Sequence, residues 1–394
     1  MKKRYLAAII AVFLILLVSA SGSIEISAYG PIPSDLNTGP YVDSINFQVI
    51  SGQDQRILAL QAGTIEMDTS IFDPSYYLQL SADPDISVYS GLRNGYGHIT
   101  INCRDWPLNE TVLRRAFAYA FNKTRVTTEI MDGWSVEHDS LVPIVNSWCI
   151  EDQFSFHYYY DEAVLANQIL NDSGIFEINS ETGFRAYHGQ SFNIEVEYPS
   201  TSPALGGGIA QIGVDALHAL HINASICASN YIELISRLDS HGSYDMAFYA
   251  QDFHGDNVEW LANEYWSEYA DIPMQNPTNF ENATYDSYRS QLLNGTTYNE
   301  VYNASSMMQK ILQEQVPRLV VYENIYNQAY RTDVFTGHIP DINNYITGPW
   351  TMRKIHRLDG GLGGTVPISI NMEPDCFNIY SISSATSAMI LSNL

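Results

Sequence analysis

Only 19 of the 394 residues are lysine or arginine, against 44 aspartates and glutamates. The resulting formal charge of −25 repels polyanions, so nucleic acid is excluded as a partner. Cysteine is scarce as well: Cys103, Cys149, Cys227 and Cys376 stand too far apart for a zinc knuckle or a redox CxxC pair, and no metal or cofactor is expected. No GxSxG, HExxH or paired-histidine motif occurs, which removes the usual signatures of a hydrolase. His218 and His221 lie three residues apart on an expected helix and are read as solvated. The Gly-rich run 360–364 neither follows a strand nor opens a helix, so it is read as a linker and not as a phosphate loop. Beyond the first 22 residues no run is apolar enough to span a bilayer.

Those first residues form an export leader: basic Lys2, Lys3 and Arg4, an apolar run from Leu6 to Val18, then small residues with cleavage expected after Ala20 or Gly22. The chain is therefore expected to be extracellular, on the outer face of the membrane. Sequons at Asn109, Asn122, Asn171, Asn223, Asn282, Asn294 and Asn303 fit a glycosylated exported protein. In an oxidising compartment Cys103 and Cys149 are candidates for a disulfide, with buried free thiols as the other reading.

Periodicity then sets the fold class. Residues 45–50 alternate as a half-buried strand, followed by a helix over 53–62 stopped at Gly63 and a short strand at 65–68. Leu113, Ala116, Phe117, Ala120 and Phe121 mark a helix with Asn109 as its expected cap and Arg114 and Arg115 left to solvent. From 191 to 250 the period switches repeatedly. Phe192–Tyr198, Ile222–Ile226 and Met246–Ala250 read as strands, separated by helices that carry Ile209–Leu220 and Leu234–Leu238. Right-handed crossovers would make these strands one parallel sheet, an α/β arrangement whose ligands bind beyond the strands' carboxyl ends. That rule points to Gln251, Asp252, Phe253 and His254. A helix over 300–313 precedes a strand at Leu319–Tyr322, and another strand begins at Val366.

Several blocks resemble the family 5 extracellular solute-binding proteins, which include the oligopeptide, dipeptide and nickel-chelate receptors of ABC importers. They are GPYVDSINFQVI at 39–50, RILALQAGTIEMD at 56–68, GHITIN at 97–102, LRRAFAYAFN at 113–122 and VPRLVVY at 316–322. Asp132-Gly133, Val142-Pro143 and Tyr244-Asp245-Met246 follow the family's order too. The resemblance implies a periplasmic-binding-protein-like fold of type II, with mixed and parallel sheets in two lobes. A first-lobe segment would span 39–97, a second lobe 98–318, and a return to the first lobe 319–359. Residues 364–378 resemble the block with which members usually begin, so the chain reads as permuted, or as interrupted with the first lobe incomplete and 365–394 starting a first-lobe-like segment.

The resemblance further implies that an acidic residue after the second lobe's third strand meets a peptide's terminal amine. Asp252 is the nearest match, with Asp256 one register shift away. Tyr249, Phe253, Trp260, Tyr96, Trp106 and Trp134 are candidates for flat walls around it, and such faces suit sugars as well as peptides. The expected function is capture of a small solute, a peptide before a sugar, for an ABC permease and without chemistry. A secreted hydrolase using Asp252 with Asp256 or Glu259, and a surface receptor that does not transport, are the alternatives.

Overall fold

The computed structural model describes residues 38–70, 72–240, 243–253, 255–378, 380–381 and 385–391; the expected leader at 1–22 and His254 lie outside them. The strands in chain order are β1 Ser44–Val49, β2 Met67–Asp68, β3 Ile86–Leu92, β4 Gly95–Ile101, β5 Ser135–Val136, β6 Glu177–Ile178, β7 Arg185–Tyr187 and β8 Gln190–Ser191. They continue with β9 Ile194–Pro199, β10 Ala224–Ser229, β11 Met246–Asp252, β12 Arg318–Arg331, β13 Phe335–Thr336, β14 His356–Arg357 and β15 Thr365–Ile370. Ten of them join in one mixed sheet ordered β1-β15-β2-β12-β4-β11-β9-β10, with β3 and β5 also on β12. The strands β6–β8 and the pair β13–β14 make two small antiparallel sheets.

The β-α-β-α-β reading of 191–250 holds. β9 pairs in parallel with β10 from Ile194↔Ala224 to Pro199↔Ser229, and with β11 at Val196↔Met246. The helices Leu205–Ala219 and Tyr231–Asp239 connect them. Ile194 and Val196 point to the face where Ile209, Ala210, Leu217, Met246 and Phe248 close a core with the helix Thr111–Ala120. That helix begins behind Glu110 with no side-chain cap, so Asn109 is not its cap. Nor is Arg114 solvated. It is buried, and its guanidinium donates to the carbonyls of Leu108 at 2.7 Å, Asn109 at 3.0 Å and Gln315 at 2.9 Å, which ties this helix to the end of the helix Tyr298–Gln315.

Two further expectations change at the far end of the sheet. The strand expected at 319–322 continues to Arg331, with Asn327 and Gln328 buried in it despite their polarity. β15 enters the sheet between β1 and β2, in register Ser44↔Thr365 to Val49↔Ile370 on one side and Ile368↔Met67 on the other. The glycine run before it is pinned rather than loose: Gly363 N donates to Tyr41 O at 2.8 Å and Gly364 N to Asp43 Oδ2 at 2.9 Å.

β4 is buried along its whole length and lies between β12 and β11. Its glycines make that possible. A Cβ at Gly95 would lie 2.2 Å from the carbonyl oxygen of Gln251, and one at Gly97 would lie 2.3 Å from the Tyr322 ring. Gly95→Ala must therefore push β4 and β11 apart. We expect it to lower stability by about 1–3 kcal/mol in urea denaturation, as overpacked cores do; an unchanged midpoint would show that the strands are not so closely apposed.

Candidate functional site

The two halves of the large sheet meet where strands change partners. β12 pairs with β4 over Arg318–Tyr322, meets β5 at Glu323 and Asn324, and pairs with β3 over Ile325–Arg331. On the neighbouring path β3 runs into β4 through Arg93 and Asn94, and Arg93 N donates to Asn324 O at 2.9 Å. Two chain segments thus cross side by side between one group of cores, built on residues 42–88 and 329–368, and another built on 96–322.

At this crossing Arg93 Nε donates to Asp252 Oδ1 at the carboxyl end of β11. The Arg93 guanidinium also lies over the Tyr326 ring, 5.7 Å from its centroid. Tyr345 sits edge-on to Tyr326 at 5.5 Å and near Tyr89 at 6.1 Å, so three phenol rings gather around the ion pair. Burial raises the phenols of Tyr89, Tyr326 and Tyr345 above their usual value, which keeps them neutral donors. The segment after β11 is fixed from both sides. Asn94 Nδ2 donates to Phe253 O at 2.8 Å, and Asn343 Oδ1 accepts from Gly255 N at 2.9 Å. Arg93 is almost covered, with 10% of its side chain exposed, whereas Asp252 keeps 55%. The carboxylate therefore faces solvent with its second oxygen free to accept.

The other candidates part company with Asp252, and strand alternation is the reason. Tyr249 and Gln251 point to the opposite face. There Arg318, wholly buried, donates to Gln251 Oε1 at 3.0 Å, Glu264 Oε1 at 2.6 Å, Tyr265 OH at 3.1 Å and Tyr249 OH at 3.3 Å. Phe253 packs in a core between Tyr96 at 5.3 Å and Trp260 at 4.4 Å. Tyr96 is fully buried and donates to Leu141 O at 2.8 Å. Trp106 belongs to a different core, against Tyr187 and Phe192 at 5.1 Å each. Trp134 does lie at the crossing, where its carbonyl accepts from Ile325 N at 3.0 Å and its ring meets Tyr77 at 5.2 Å. Asp256 is taken up by Ser147, whose N and Oγ reach its two oxygens at 2.7 and 2.8 Å.

Arg93, Tyr89, Tyr326 and Tyr345 were not legible as site residues, because they are scattered over some 250 positions and only the sheet order brings them to Asp252. No disulfide joins the candidate pair Cys103 and Cys149, and all four cysteines are free, the other of the two readings. Both thiols fill space beside the core around Tyr96 and Phe253, and burial pushes both up, so they behave as small apolar groups. His218 and His221 are exposed, as expected. Among the described residues no helix is long and apolar enough to cross a membrane.

Comparison with known folds returns the same architecture. The oligopeptide-binding protein AppA from Bacillus subtilis, solved with a nonapeptide, superposes with a TM-score of 0.61 at 14% identity over 78% of this chain and 59% of its own. HbpA2 from Haemophilus parasuis gives 0.65 at 14% identity over 79% and 57%, and NikZ from Campylobacter jejuni, solved with Ni(L-His), gives 0.57 at 17% over 73% and 56%. The chain thus spans a little under three-fifths of the length of these structures. A search of curated protein sequences gave no match. The sequence profile described as bacterial extracellular solute-binding proteins, family 5 Middle, matches residues 36–271, more than half of the chain, and the protein belongs to that family.

Proposed function

We propose that this protein captures a small solute, a peptide before a sugar, between two lobes and presents it to an ABC-type permease without chemistry. The observation that carries this reading is the half-exposed Asp252 carboxylate, set among tyrosines at the point where the strands cross. A primary amine on the solute would bind the free oxygen of Asp252 by a charge-assisted hydrogen bond. Tyr326, Tyr345 and Tyr89 would offer flat faces for the rest of the molecule, and closure about residues 92–95 and 322–325 would cover it. The lobes would be those expected from the resemblance, 39–97 with 319–359 and 98–318, in a type II arrangement with β15 as part of the first lobe, which would be incomplete in this chain. The net charge of −25 would favour the approach of cationic solutes.

Other readings have less to rest on. A hydrolase needs a carboxyl pair open to the substrate, but Asp256 is consumed by Ser147 and Asp252 is held by Arg93. A metal-chelate solute, of the kind in the NikZ structure, would use the same crossing. The expected leader would put the protein outside the cytoplasmic membrane, where a permease would be its membrane partner.

The proposal is tested by calorimetric titration of the exported protein with short peptides, their N-acetylated forms and oligosaccharides. Loss of one hydrogen bond to a charged group corresponds to about 10- to 150-fold in affinity. Asp252→Asn is expected to weaken binding of free-amine peptides within that range, and N-acetylation should do the same to the wild-type protein. Tyr249→Phe, on the other face of β11, should leave affinity unchanged. Equal affinity of Asp252→Asn and wild type, or binding of oligosaccharides alone, would refute the peptide reading.

A further inference from the structure

The turn before β5 presents an aromatic ring to the crossing. Asp132 and Gly133 hold φ of 49° and 80°, the left-handed region that aspartate tolerates and glycine adopts freely. Gly133 N and Trp134 N donate back to Thr127 O and Met131 O at 2.8 Å each, which closes the turn. Trp134 then leaves it as an extension of β5. The pairs Val136↔Glu323 and Ser135↔Asn324 continue into the bond from Ile325 N to Trp134 O at 3.0 Å, so Trp134 stands opposite Ile325 on β12. Residues opposite each other on paired strands send their side chains to the same face.

That face can be followed along β12, which runs against β3 from Ile325 to Arg331 without a shift of register. Ile325, Asn327 and Ala329 point one way, and Ala329 joins the core of Ile57, Leu60, Phe72 and Leu80. Tyr77, the first residue of the helix Tyr77–Ser81, packs on the same core. Its ring lies 5.2 Å from the Trp134 ring, with 53° between the planes. Asn324, Tyr326 and Gln328 point the other way, and so do Arg93 and Tyr89, which stand across from Asn324 and Gln328. Theirs is the face on which Arg93 meets Asp252. Tyr77 belongs to the half built on residues 42–88 and Trp134 to the half built on 96–322, so the two rings bridge the halves behind the crossing, opposite the Asp252 side.

We propose that the Trp134–Tyr77 contact is a rear stop of the hinge, which favours the open form and so limits how tightly a solute is held. The effect on affinity rests on the solute-capture reading. A rotation about residues 92–95 and 322–325 that narrows the front of the crossing widens its rear, and the two rings then part. The free energy of the ring contact is thereby added to the cost of closing. Where the closed form binds and the open form predominates, apparent affinity falls in proportion to the fraction closed. An aromatic pair shifts such an equilibrium by about 2- to 12-fold. Trp134 and Tyr77 are therefore positioning residues, which act on the solute through the hinge and not by touching it. This differs from the wall of the site that Trp134 was expected to form.

Both rings are partly exposed, so their replacement spares the cores. Small-angle scattering of the exported protein without solute should give Tyr77→Ala and Trp134→Ala a smaller radius of gyration than wild type, while Tyr77→Phe, which keeps the ring, should match wild type. In calorimetric titration with short peptides, each alanine variant should bind about 2- to 12-fold tighter. The double variant should bind no tighter than the better single one, because all three remove the same contact. Compaction of the alanine variants with no peptide bound by any of them would support the rear stop and refute peptide capture, so the two failures are separable. Alanine variants that keep both the scattering and the affinity of wild type would overturn the proposal. Weaker binding by Trp134→Ala would overturn it too, and would make Trp134 a wall of the solute site.

Discussion

The structure depends on one strand satisfying its backbone in two places. β12 is 14 residues long, and its first part completes the sheet of one half while its last part completes the sheet of the other. Every buried N–H and C=O must find a partner, so the partners have to be exchanged somewhere along the strand. That happens over Tyr322–Ile325, next to the passage of β3 into β4 through Arg93 and Asn94. A bulge between Val320 and Tyr322 accompanies the exchange. The crossing is where both segments exchange ladder partners, which makes it a natural place both for a hinge and for a site shared between the halves.

The same constraint explains the polar residues gathered there. Arg93 cannot be buried alone, and it is compensated by Asp252 and the electron-rich face of Tyr326. On the other face of β11, Arg318 is compensated by Glu264 with Gln251, Tyr249 and Tyr265 around it. One face thus keeps a carboxylate open to water and the other seals its charge inside. Alternation along β11 separates an open carboxylate from a sealed structural network with a single strand.

Much of the fold was readable from periodicity. The parallel unit over 194–252 announced itself because its strands and helices are short, regular and apolar on one face. β12 was only half readable: past Tyr322 the residues Glu323, Asn324, Asn327 and Gln328 break the apolar alternation, since they bond to neighbouring segments instead of facing solvent. Asn109 looked like a helix cap, and Arg114 looked solvated, because sequence does not reveal that the Arg114 guanidinium reaches back to the carbonyls at 108 and 109 and across to 315. For the site, the rule that ligands gather beyond the carboxyl ends of strands led to Asp252 but could not separate it from Tyr249 and Gln251 without the face each occupies. Arg93 and the tyrosines of the crossing carry no local signal at all.

Hydrogen–deuterium exchange along β12 tests the shared-strand account most directly. The account predicts slow exchange in both long ladders, 318–322 and 325–331, with faster exchange confined to 323–324, where only the two-residue strand β5 is the partner, and suppressed when a solute closes the lobes. Exchange that is uniform across 318–331 and indifferent to solute would contradict a hinge at this crossing.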